Sequence, residues 1–106
     1  MSADGTLGGY ERQHGRAPAF GGADGLAYSV ATFVDDDPDA QGRYGAALLF
    51  IRWSPGADKP IGHLETDYLA FGVTPDAALA PVLALTLQEV KAHLDRCTAA
   101  RPAESA

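Results

Sequence analysis

Apolar positions along the chain change period, and each change predicts an element. Residues 26–34 (LAYSVATFV) are rich in β-branched and aromatic side chains and alternate, with Leu26, Tyr28, Val30, Thr32 and Val34 on one face of a strand. Residues 35–42 (DDDPDAQG) hold turn formers and no core residue. A second strand follows over residues 44–53 (YGAALLFIRW), apolar on both faces: Tyr44, Ala46, Leu48 and Phe50 on one, Ala47, Leu49, Ile51 and Trp53 on the other. Such a strand is normally covered on both sides. After a loop with Pro55, Gly56 and Pro60, residues 63–71 predict a third strand, whose apolar phase shifts at Leu69 and Phe71 in the manner of a bulge. Thr74, Pro75 and Asp76 form a helix start: a capping hydroxyl, a ring that presets φ, and an acid suited to the positive end of the dipole. Leu79, Val82, Leu83, Leu87, Val90, Leu94 and Cys97 then fall on one helical stripe, with Pro81 predicting a kink or a restart.

These elements predict an α+β fold: a three-stranded antiparallel sheet with one C-terminal helix on one face (β-β-β-α), spanning residues 26–97. Residues 1–25 contain seven of the twelve glycines and no sustained apolar period, so they read as a flexible arm from which Tyr10 and Phe20 dock; residues 98–106 read as a tail. One helix covers one face of the sheet only. The other face, carrying Leu49, Ile51 and Trp53, needs a cover, and a second copy of the chain is the expected one, giving a homodimer or higher homo-oligomer.

Composition narrows the function classes. With 106 residues the chain is one domain by length, and 46% hydrophobic with 21% charged residues is ordinary for a globular protein. Eight basic against fourteen acidic residues give a net charge of −6, which argues against direct nucleic-acid binding. The longest apolar run, residues 45–51, is far short of the roughly 20 residues that span a bilayer, and no export signal is visible. The single Cys97 has no internal disulfide partner, which fits a cytoplasmic setting.

Three groups of side chains are candidates for chemistry. Asp37, Asp39 and Gln41, with Gly42 sixth from Asp37, begin like a calcium loop, but position twelve is Leu48, inside a strand; a solvated turn is the simpler reading. His63, Glu65 and Asp67 share a face of the third strand and form a candidate partner or metal site. Residues two apart on a strand lie roughly 6.5–7 Å apart, so the three converge only if the strand bends. Glu89 and His93, four apart on the helix, read as an ion pair that an intersubunit metal site would reuse. Nucleophilic catalysis has little support: Cys97 completes the apolar stripe, Ser29 and Ser54 lie in no nucleophile elbow, and no phosphate-binding glycine motif is present. No cofactor is expected.

The run from Leu69 to Leu79 (LAFGVTPDAAL) resembles the segment of HicB-like antitoxin domains in which a short strand ends in Gly-x-Thr before an acidic residue and an Ala-Leu helix. The resemblance implies a partial double-stranded-RNA-binding-like fold, self-association, and binding of a small basic RNA-cleaving toxin, which the acidic charge would suit. It spans residues 26–94, with about a dozen specific positions. The family's Pro-x-x-Pro-Gly element is only echoed by Ser54, Pro55 and Gly56, Pro81 interrupts the helix, and no DNA-binding motif follows Cys97. The expectation is a non-catalytic interaction module. A metal-dependent enzyme or sensor at His63, Glu65 and Asp67, and a small-ligand cup lined by Tyr28, Tyr44, Phe50 and Trp53, are the alternatives.

Overall fold

The doubly apolar run is the central strand of the protein. In a computed structural model, which describes residues 5–100, this strand, β3 (Tyr44–Trp53), lies between β2 (Ala27–Val34) and two short strands, β4 (Pro60–Glu65) and β5 (Ala70–Gly72), that follow one another along its far edge. All pairings are antiparallel, and β1 (Ala19–Gly21) completes the sheet on the outer edge of β2. The helices are α1 (Leu7–His14), α2 (Pro75–Leu83) and α3 (Leu87–Ala100). The α+β class and the antiparallel sheet are as the apolar pattern predicts, but among the described residues five strands and three helices replace the expected three and one.

Register fixes which side chains share a face. Val30 pairs with Phe50 and Phe50 with Leu64, and these side chains meet the helices. The core cluster joins Tyr28, Val30, Ala46, Leu48 and Phe50 of the sheet to Leu7, Ala78, Val82, Val90 and Leu94 of the helices. Full burial of one such side chain contributes about 1.5–3 kcal/mol.

Three differences from the expected fold have local causes. The predicted third strand divides because Thr66 takes part in the ladder with its side chain. Leu48 N–H donates to Thr66 Oγ1 at 3.0 Å while Thr66 N–H donates to the Leu48 carbonyl at 3.0 Å. Leu64 to Ala70 is six steps against four from Phe50 to Ala46, so two residues are extruded as a bulge where the apolar phase shifts.

The single predicted helix is two, because Thr86 and Glu89 form a reciprocal cap. Thr86 N–H donates to Glu89 Oε1 at 2.9 Å and Glu89 N–H to Thr86 Oγ1 at 3.0 Å, so α3 starts afresh after Pro81 and Leu83.

The segment expected to be a flexible arm carries α1 and β1. Thr6 accepts the Gly9 amide at 3.0 Å, and Gly15, at φ 67°, closes the helix with its N–H on the Glu11 carbonyl. Leu7 is fully buried and donates its N–H to the Leu85 carbonyl at 2.8 Å, so α1 docks on the break between α2 and α3. Gly8 permits this approach: a Cβ there would lie 3.2 Å from the Leu83 carbonyl oxygen. Of the expected tail, residues 98–100 belong to α3; residues 1–4 and 101–106 lie outside the described residues. No helix among the described residues is long and apolar enough to cross a membrane.

Gly72 joins the sheet to α2 at the closest backbone approach in this region. A Cβ on it would stand 2.5 Å from the Ala78 nitrogen and 2.6 Å from the Ala77 carbonyl carbon. Gly72→Ala is therefore expected to cost about 1–3 kcal/mol through forced displacement of the helix. Urea denaturation reads this as a lower midpoint, and an unchanged midpoint would contradict the packing of β5 on α2.

Candidate interaction surface

Because side chains alternate across a strand, the residues that do not face the helices form a second surface. It carries Ala31 and Phe33 of β2, Ala47, Leu49, Ile51 and Trp53 of β3, His63 and Glu65 of β4, and Phe71 of β5. Phe33 and Phe71 are 46% and 45% exposed, high for phenylalanine on a sheet. Trp53 is half-buried, and its Nε1–H donates to Ser29 Oγ across the strand pair at 3.0 Å, so the indole's one polar atom is satisfied within the sheet. A shallow depression of about 470 Å³ runs between Phe33, Leu49, Ile51 and His63.

One end of this face is closed by its own cluster. The Tyr68 ring lies over Gly45, where a Cβ would come within 2.7 Å of it, and meets Phe71 edge-on at 5.7 Å. Arg43 covers Phe71 at 4.7 Å in a cation–π contact. Tyr68 donates its hydroxyl proton to Asp35, which with the Asp37 amide holds the Asp35 carboxyl below its ordinary pKa.

The bulge separates the candidate site residues. His63 and Glu65 remain neighbours on β4, with Nε2 and Oε2 3.3 Å apart and both side chains well exposed. Asp67 lies past the end of β4 in the extruded turn, where it lines both a groove beside α3 and a depression of the open face next to Phe33 and Tyr68. Among the described residues the three form no compact ligand set; the one such set is Asp35, Asp36 and Asp37. Asp35 already serves Tyr68 and the Asp37 amide.

The Asp37, Asp39 and Gln41 loop is organised around Asp39. Its Oδ1 accepts the Gln41 and Arg43 amides at 2.9 Å each, and its Oδ2 accepts the Arg43 guanidinium at 3.0 and 3.2 Å. Both oxygens thus serve the hairpin turn, which Gly42 closes at φ 76°. On α3, Glu89 serves the helix cap while His93 Nδ1 meets Arg96 Nη2 at 2.8 Å. Burial, with Arg96 adding to it, lowers the His93 pKa.

The aromatic cup does not form. Tyr28 and Phe50 are fully buried on the helix-covered face, where Tyr44 also packs, while Trp53 is on the other. Arg52 and Trp53 likewise point to opposite faces, and Arg52 donates from Nε to Asp24 at 3.0 Å. Cys97 is half-buried with its thiol 3.6 Å from the Glu65 carbonyl oxygen, and burial raises its pKa.

Phe33, Tyr68 and Phe71 belong to the open face although only Leu49, Ile51 and Trp53 were expected there. The alternation of β2 carries the signal for Phe33, which falls opposite Val34 and Thr32. Tyr68 has no such signal, because the bulge decides its position. Comparison with protein-family models, curated proteins and solved structures finds no match to the chain.

At the other end of the sheet, Asp24 accepts the Tyr28 hydroxyl at 2.8 Å, the Leu26 amide at 3.1 Å and the Arg52 guanidinium at 3.0 Å. Burial raises the Asp24 pKa, but these hydrogen bonds together outweigh it and hold the carboxyl below its ordinary value. The unfolded chain therefore binds this proton first on acidification. The stability Asp24 contributes is present above about pH 4 and is lost as pH falls through the lower folded-state value. Asp35 and Asp39 are shifted the same way. Urea midpoints should fall below about pH 4, less steeply in Asp24→Asn. Equal slopes would remove Asp24 from the account.

Proposed function

We propose that this chain is a non-catalytic interaction module that associates with a second copy of itself through the open face of its sheet. The observation that carries this reading is the apolar surface centred on Leu49, Ile51 and Trp53, which none of the helices covers. Its relief favours self-association. Large side chains form a ridge along β3, while the same face of β1 and β2 carries Ala19, Gly21, Ala27, Ser29 and Ala31, a shelf of small ones that ends at Phe33. A copy turned about a two-fold axis lays each ridge on the other's shelf, with the sheets about 10 Å apart.

A protein partner of basic character is the second element of this reading, as in HicB-like antitoxin domains. It is supported by the net charge of −6 and by the strand-to-helix junction at Gly72, Thr74 and Pro75, where Thr74 Oγ1 accepts the Ala77 amide at 3.0 Å. The outer edge of β4, beside His63 and Glu65, is the docking place proposed for it, since β4 is hydrogen-bonded to β3 alone. The cytoplasm is the proposed location, because Cys97 is a free thiol. A metal-dependent reading at His63, Glu65 and Asp67 is less favoured, because Asp67 lies past the strand end that carries the other two.

Light scattering on the purified chain is expected to give the mass of a dimer or a multiple of it. Ile51→Asp is expected to give a monomer that still melts cooperatively, because a charge at the centre of the patch is desolvated by pairing and Ile51 is outside the helix-covered core. A monomeric wild type, or an Ile51→Asp protein that stays dimeric, would overturn the assignment.

A further inference from the structure

The extruded turn and α3 enclose a groove of about 530 Å³ with apolar walls from Leu64, Leu69 and Cys97. Three charged residues line it: Glu65, whose carboxylate meets His63 on β4, Asp67 from the extruded turn and Arg96 from α3. Arg43 and Arg52 each hold a carboxylate at 3.0 Å, whereas Arg96 meets the imidazole of His93. Because a guanidinium has no acceptor, His93 Nδ1 accepts this hydrogen bond and Nε2 keeps the ring proton. Among the described residues neither Arg96 nor Asp67 has a salt-bridge partner, and no interaction of either is left unaccounted for.

We propose that this groove binds a free α-amino acid with an apolar side chain, its carboxylate on Arg96, its ammonium on Asp67 and its side chain against Leu64 and Leu69. The charge of the whole chain favours this class over a plain anion. At a net charge of −6 the protein repels an approaching anion, whereas a zwitterion carries no net charge and offers a counter-charge to each of the two groups that lack a salt-bridge partner among the described residues. The apolar walls reject polar side chains and reward branched aliphatic ones by burial. Arg96, Leu64 and Leu69 line this groove and neither depression of the open face, so the proposal is tested separately from self-association.

The test is a titration of the full chain with L-leucine, followed in amide proton–nitrogen correlation spectra, with hexanoate and 3-methylbutylamine as probes that each keep one of the two charges. Leucine is expected to give saturable shifts at Asp67, Arg96 and Cys97, and both single-charge probes are expected to bind more weakly. Arg96→Gln and Asp67→Asn are each expected to weaken leucine binding by about tenfold, as loss of one charged hydrogen bond implies. Both side chains are exposed, so the variants are expected to keep the wild-type melting curve. The proposal is overturned if leucine gives no saturable shift in the groove, or if hexanoate binds as tightly as leucine. Unchanged leucine affinity in either variant also overturns it. The comparison of probes on the wild-type chain needs no variant to fold.

Discussion

The strand Tyr44–Trp53 presents apolar side chains on both of its faces, and a single layer of helices covers only one of them. Phe50, Leu48 and Ala46 are fully buried under α2, α3 and the N-terminal Leu7. Leu49, Ile51 and Trp53, one residue away in each case, are only partly buried. Because the side-chain period of a strand is two, no slip of register relieves this: moving one set inward moves the other set out. The sheet therefore keeps an apolar outer surface as a consequence of its central strand, and the surface is the main reason to read the molecule as one that associates.

A single exchange of hydrogen-bond partners shapes the rest of that surface. Where a regular ladder would offer Leu48 a backbone carbonyl, it meets the Thr66 hydroxyl. Two residues are then accommodated outside the ladder, and the outer strand becomes β4 and β5. The same event leaves His63 and Glu65 on the open face, sets Asp67 in a turn between that face and α3, and lets Tyr68 cover Gly45 and bond to Asp35. Three carboxylate and imidazole groups that a continuous strand would have aligned are thus no longer in one row, since β4 ends at Glu65.

On the helical side, the break between α2 and α3 is a docking point as well as an interruption. Helix ends leave carbonyl groups without intrahelical partners. The Leu85 carbonyl finds the Leu7 amide, and Thr6 bridges to Thr86. The N-terminal glycines then act as contact residues, since Gly8 has Leu83 within the distance at which any side chain would crowd. A chain with a small core gains from this, because Leu7 adds a fully buried side chain to a layer otherwise supplied by two short helices.

Local periodicity and capping chemistry were enough to read β2, β3, the start of α2 and the apolar stripe that became α2 and α3, because those signals lie within a few residues of one another. They also placed Leu49, Ile51 and Trp53 on a face of their own. The reciprocal cap at Thr86 and Glu89 is equally local, but helical spacing paired Glu89 with His93 and the cap was missed, although a threonine and a glutamate three residues apart carry the signal. The N-terminal helix and strand were not legible, since eight residues with two glycines form a helix here by docking Leu7 on a distant carbonyl rather than by propensity. The place of Asp67 in a turn beside α3, and the cover that Tyr68 gives to Gly45, depend on a hydroxyl meeting an amide eighteen residues away. Pairings of that separation are chosen by the folded sheet as a whole, and only the tertiary structure decides them.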